Sequence, residues 1–109
     1  MHDSTDLRQG TLDMLILKAV SLEPLHGWGI AQRIMQISQD VLQVNQGSLY
    51  PALHRLERRG LIDSEWAASD NNRRSKYYRL RRAGRAALAR ERADWERFMG
   101  AVQRVMQAS

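Results

Sequence analysis

Seven basic side chains, Arg73, Arg74, Lys76, Arg79, Arg81, Arg82 and Arg85, follow one another without an intervening acid. Such a block raises the local positive potential and suits a polyanion, although a solvated charged face is the plain alternative. A second set of donors, His54, Arg55 and Arg58, recurs at helical spacing just before the block. Together they offer hydrogen bonds and charge to phosphates and base edges. Catalytic chemistry is not similarly organised. The chain has no cysteine, and its three histidines, His2, His26 and His54, lie far apart with no carboxylate at a ligand spacing. Neither a metal site nor a nucleophile–base pair nor a glycine-rich phosphate loop emerges. The expectation is a protein that is not an enzyme and needs no cofactor.

The charge is polarised along the chain. Residues 1–54 hold three basic and five acidic side chains, whereas residues 55–92 hold twelve basic and five acidic ones. The whole chain of 109 residues carries a formal charge of +5 and is 43% hydrophobic, enough for one small core. Its longest apolar run, Met14–Leu17, falls far short of the roughly 18 residues a membrane-spanning helix needs. The acidic, polar start from Met1 to Asp6 does not resemble a secretory signal, and the chain reads as cytoplasmic.

Several elements must position these side chains. Leu12, Leu15, Ile16, Ala19 and Val20 repeat as i, i+3, i+4, i+7, i+8 and predict a first helix ending near Ser21. Leu7, Met14 and Leu17 make it apolar on further sides, so it needs cover both from its own domain and from something else. A second helix opens at Gly27-Trp28-Gly29-Ile30 with Ile30, Ile34 and Ile37 as its stripe; Ser38–Asn45 is a polar connection anchored by Val41, Leu42 and Val44. A third helix runs from about Gln46 to Arg59 and stops at Gly60. Leu61–Trp66 and Ser75–Leu80 are β-capable runs around a turn-rich segment in which Asn71 and Asn72 tolerate positive φ. Residues 82–107 form one long helical pattern, roughly 39 Å if fully helical.

In the third helix Leu49, Leu53 and Leu56 share one side with Ala52. Gly47, Pro51, His54, Arg55 and Arg58 take the other, with Tyr50 at the border and Pro51 harmless in the first turn. Gln46 and Ser48 lie at the end where free backbone N–H groups favour a phosphate. Helix, helix, helix, basic hairpin, helix is the order of a winged helix-turn-helix: mainly α with a two-stranded β-wing. In that fold the third helix enters the major groove while the wing grips the backbone. A reading without DNA keeps the fold as a protein-interaction module, against which the basic wing argues.

Four stretches, LRQGTLDMLIL (Leu7–Leu17), HGWGI (His26–Ile30), QGSLYPALHRLERRGLI (Gln46–Ile62) and RRSKYYRL (Arg73–Leu80), with Ala83-Gly84, resemble a PadR-type transcriptional regulator of the short subfamily. The resemblance implies a bacterial homodimer that binds a pseudo-palindromic operator on double-stranded DNA and usually represses. Residue by residue it implies contacts from Gln46, Ser48, Tyr50, Pro51, His54 and Arg55 on the third helix, beside Arg58, and from Arg73, Arg74, Lys76 and Tyr77 on the wing. Two positions depart from the pattern. Asn72 stands where many relatives have glycine, and Arg81 where many have a threonine able to cap the last helix.

Residues 1–81 thus form the expected DNA-binding domain and 82–109 a dimerisation helix. Leu88, Trp95 and Val102 repeat every seven residues, with Phe98, Met99, Val105 and Met106 filling in. A second chain is the economical cover for such a stripe, packing against Leu12 and Ile16 of the partner's first helix. Two readings of Trp95 stand: the centre of that dimer core, or one wall of a cleft that stacks a flat aromatic effector, as in drug-sensing relatives with a tryptophan on this helix.

Overall fold

The computed structural model describes residues 8–69 and 71–109. The acidic start with His2 and Leu7, and Asp70, lie outside the described residues. Three helices build the core: α1 (Gln9–Leu22), α2 (Gly27–Ile37) and α3 (Gln46–Arg58). Each contributes one apolar stripe. Ile16 of α1, Ile30 of α2 and Leu49, Leu53 and Leu56 of α3 are almost fully buried against one another. Burying a side chain of this size is worth about 1.5–3 kcal/mol, so the shared stripe is what fixes the three helices relative to each other.

The ends of the elements follow from local chemistry. The α2 helix is capped by His26, whose Nδ1 accepts the Gly29 N–H at 3.0 Å, and α3 by Asn45, whose side chain accepts the Ser48 N–H at 2.9 Å. After α3, Gly60 takes φ +75°. Leu61 N–H then donates to Leu56 C=O and Gly60 N–H to Glu57 C=O, both at 3.0 Å, which is the paired closure of a Schellman stop. In the α2–α3 connection Leu42 and Val44 pack on the core, but Val41 is exposed and anchors nothing.

The sheet is larger than the expected hairpin. Strands β2 (Ile62–Ala68) and β3 (Arg74–Leu80) pair antiparallel, with Trp66 opposite Lys76. A third strand, β1 (Leu25–His26), adds to the free edge of β3, with Leu25 opposite Tyr78 and His26 opposite Tyr77. Two residues are too short to show any periodicity, which is why the sequence reading has two strands and the molecule three. At the turn Asn72 adopts φ +66°, the left-handed conformation that suits the glycine of relatives.

The last helix, α4 (Arg82–Gln107), starts at Arg81, which offers no side-chain cap. Its first turns are rooted in the core through Gly84 and Ala87, both buried. Further along, the helix leaves its own domain, and the molecule extends 57 Å along its longest axis.

Candidate nucleic-acid interface

Helix α3 presents a mixed face to solvent. Gln46, Ser48, Tyr50, Pro51, His54 and Arg58 are exposed along it. Tyr50 leans against the start of α2, where the absence of a side chain at Gly27 makes room: a Cβ there would lie 2.9 Å from the Tyr50 ring. Because Asn45 already accepts the Ser48 N–H, part of the helix's donor capacity at this end is taken.

The wing stands beside this face. Arg73 and Arg74 are exposed, with no ion-pair partner among the described residues, and the Arg74 guanidinium lies 5.8 Å from the centre of the Trp66 ring. A cation over an indole face is held by the ring quadrupole, which presents Arg74 without neutralising it. Lys76 is tied down instead. Its Nζ reaches Glu57 Oε1 at 3.4 Å, and Glu57 also accepts the Ser64 hydroxyl at 2.6 Å. Glu57, the sole acid of α3, therefore ties that helix to both strands of the wing. Tyr77 is half-buried, its ring edge-on to His26 at 5.3 Å. Tyr78 beneath them is buried, and that burial, reinforced by Glu57, pushes its hydroxyl pKa up.

Between wing and helices runs a cleft of about 750 Å³ lined by Trp28, Tyr50, Trp66, Arg73, Lys76 and Tyr78, among others. Trp28 and Trp66 are 51% and 59% exposed, far out for tryptophans of a small domain. The sequence reading missed both. Trp66 alternates outward on a strand, and Trp28 follows the glycine that opens α2, so an exposed position was available from the pattern but not the shared cleft.

Arg55, expected to be free for DNA, is engaged within the protein. It is not free on the outer face. Its Nη2 donates to Asp13 Oδ1 of α1 at 3.0 Å, and Asp13 is only 7% exposed. The cause is Asp13 itself, which lies within the apolar spacing of α1 and must find a cation once buried. Burial raises the Asp13 pKa, and the charge and hydrogen bond of Arg55, with the charge of Arg59, oppose that rise without cancelling it.

A second groove, about 510 Å³, lies between α1 and α4 and is lined by Met14, Leu15, Lys18, Leu88, Trp95 and Glu96, among others. Here too the sequence reading needs correction. Leu12 and Ile16, expected at a partner interface, are 2% and 0% exposed inside their own core. The outward side of α1 is the one carrying Met14 and Leu15; two apolar sides were available, and the strongest stripe went inward. Along α4, Leu88 packs on the core, Met99 is half-buried, and Trp95, Phe98, Val102, Val105 and Met106 are exposed. Among the described residues no helix is long and apolar enough to cross a membrane, and no cluster of His, Asp or Glu is placed to hold a metal.

Comparison with known proteins addresses the whole arrangement. A profile described as "Transcriptional regulator PadR-like family" matches residues 16–90. The transcriptional regulator Rv3488 of Mycobacterium tuberculosis is 36% identical over 91 residues, covering 84% of this chain and 81% of that protein. Among solved structures, a PadR-like transcription factor from Bacteroides fragilis is 31% identical with a TM-score of 0.73, covering 90% of this chain and 92% of that one. A PadR-like transcriptional regulator from Bacillus cereus is 26% identical with a TM-score of 0.79, covering 93% and 96%.

Proposed function

The chain belongs to the PadR-like family of transcriptional regulators, and on that premise we propose that it acts as a homodimeric repressor of a pseudo-palindromic operator, released by a flat aromatic compound. In this reading residues 1–81 form the DNA-binding part and residues 82–109 the dimerising helix. Helix α3 enters the major groove with Gln46, Ser48, Tyr50, Pro51, His54 and Arg58. The wing follows the backbone with Arg73, Arg74, Lys76 and Tyr77, and a DNA strand passes along the cleft between them. The observation that carries the reading is the pairing of two prongs. An exposed polar helix face stands beside two arginines with no ion pair among the described residues, and Glu57 bonds hold the prongs together.

Dimerisation is supported by the exposed stripe of Trp95, Phe98, Val102, Val105 and Met106, which a second copy would cover together with Leu88 and Met99. A two-fold pair would set the reading helices about 34–36 Å apart, one turn of DNA. The effector part is supported by the groove that runs up to Trp95, where Met14 and Leu15 of α1 give it apolar surface and Lys18, with the Arg92–Glu96 pair at 3.4 Å, gives it charge.

The test is affinity for DNA upstream of its own gene against random duplex, measured across a salt series. Preference for the upstream DNA and a steep salt response are expected; equal binding to both sequences, or a flat response, refutes the operator. Quenching of tryptophan fluorescence by planar aromatic compounds, lost in Trp95→Ala, is expected of the effector site.

A further inference from the structure

We propose that Asp13 is a positioning residue for DNA recognition: its carboxylate holds Arg55 back from the phosphates and fixes how the reading helix stands against α1. The inference rests on the reading of α3 as the DNA-facing helix and adds what controls that helix from behind.

Three observations support it. First, Arg55 follows His54 and precedes Arg58, both exposed, so its backbone lies on the flank from which a long cation reaches DNA. Its side chain instead turns back to a residue 42 positions earlier in the chain. Second, the arrangement is not one an unconstrained arginine would adopt. The Arg55 Nε is buried without a hydrogen-bond partner. Swinging outward would hydrate all five of its donors, and stranding a buried donor carries a desolvation cost. What keeps it inside is the Asp13 carboxylate, 10% exposed, which would otherwise be a buried charge without its partner. Third, a stability role is not required to explain the pair, because replacing a buried ion pair by well-packed apolar residues is often neutral or stabilising.

The consequence for DNA binding follows from counting charge. An arginine already paired with a carboxylate has fewer counterions to release when DNA binds, so Arg55, although its side chain is 31% exposed, adds little to sequence-independent affinity while Asp13 holds it. Freed, it would add a phosphate contact that every sequence supplies equally, raising random binding and diluting discrimination. The pair is also a lateral tie between α1 and α3. It limits rotation of α3 about its own axis, and the angle of that rotation decides whether His54 and Tyr50 meet base edges.

The experiment uses the full chain with Asp13→Asn, compared with the unaltered protein on upstream DNA and on random duplex of equal length. With helical content intact, the salt slope on random duplex should steepen by about 0.9 per protomer engaged, and the ratio of upstream to random affinity should fall about tenfold. Unchanged slope and ratio in the folded variant overturn the proposal. Should Asp13→Asn not fold, the charge-free pair Asp13→Leu with Arg55→Met decides. A slope equal to that of the unaltered protein supports withholding, and one shallower by about 0.9 per protomer shows that Arg55 already binds phosphate and overturns it. Loss of upstream preference in the unaltered protein counts against the proposed operator. The random-duplex slopes still test the role of Asp13.

Discussion

Gly84→Ala separates local propensity from packing by the sign of its effect. Gly84 is the third residue of α4, and in a helix interior alanine is favoured over glycine by about 0.8–1.0 kcal/mol. Packing says the opposite. A Cβ at this position would sit 2.1 Å from the Leu61 carbonyl oxygen and 2.5 Å from Leu80 Cδ1. The leucine methyl can swing aside. The carbonyl cannot, because it also accepts the Arg81 N–H at 3.0 Å and follows directly on the stop of α3. Relief requires α4 to withdraw by more than 1 Å, since ordinary contact begins near 3.4 Å. That movement breaks the Arg81 bond, worth about 1 kcal/mol, and loosens Ala87, while overpacking itself costs about 1–3 kcal/mol. Set against the propensity gain, the net loss is about 1–3 kcal/mol, or a fall in Tm of roughly 4–20 °C for a domain of this size. Urea unfolding at fixed protein concentration reads it as a lower midpoint with unchanged slope. Gly10→Ala, whose Cβ meets nothing within 4 Å, is the control and should lose nothing. A Gly84→Ala protein as stable as the original refutes the close approach of α4 to the α3–β2 turn.

Other perturbations address the DNA surface and its support. Arg74→Ala should weaken binding to upstream and random DNA alike and lower the salt slope by about 0.9 per protomer, whereas His54→Ala should shift sequence preference with the slope unmoved; the reverse pattern would exchange the roles of wing and helix. Gly27→Ala forces the Tyr50 ring outward from 2.9 Å and should alter upstream-DNA affinity while changing Tm little, as the displaced group is the end of an exposed side chain. For pH, burial raises the folded Asp13 pKa, so the folded state holds that proton more tightly than the unfolded chain. Stability relative to the Asp13→Leu, Arg55→Met protein should therefore be greatest in acid and fall as pH rises from the ordinary carboxylate value through the raised one, then level off above it. A rise over that interval would reverse the assigned balance of burial over charge.

Helices were the most legible part of this chain because their signals repeat. The stripes at Ile30 and Ile34 and at Leu49, Leu53 and Leu56, and the stop at Gly60, appear in the molecule where spacing and turn chemistry put them, but Ile37, expected in the α2 stripe, is 64% exposed at the helix end. The strand at Leu25–His26 was invisible, since pairing with Tyr77 and Tyr78 is a tertiary event that two residues cannot encode by pattern. Faces were harder than elements. For α1 the periodicity identified an apolar helix, but with hydrophobic residues on several sides it could not say which side the core would take. Leu12 and Ile16 went in and Met14 and Leu15 stayed at the rim. Arg55 failed for a related reason. Its wheel position is outward, and the partner that reclaims it lies on another helix.

The two interactions that the linear pattern hid, Glu57 with the wing and Asp13 with Arg55, assign different work to the two prongs. Glu57 is occupied by Ser64 and Lys76, and Arg55 by Asp13. The first two turns of α3 then face solvent through Gln46, Ser48, Tyr50 and Pro51, with His54 following them. The remaining cation of α3, Arg58, and Arg59, which follows as its C-cap, sit at the C-terminal end, where they also complement the helix dipole. On the wing, Arg73 and Arg74 are exposed with no ion pair among the described residues. Directional donors read bases and diffuse positive charge reads phosphate. On the proposed reading, a regulator that places the first on α3 and the second on the wing would change operator preference through α3 without losing its hold on DNA, provided Glu57 keeps the distance between them.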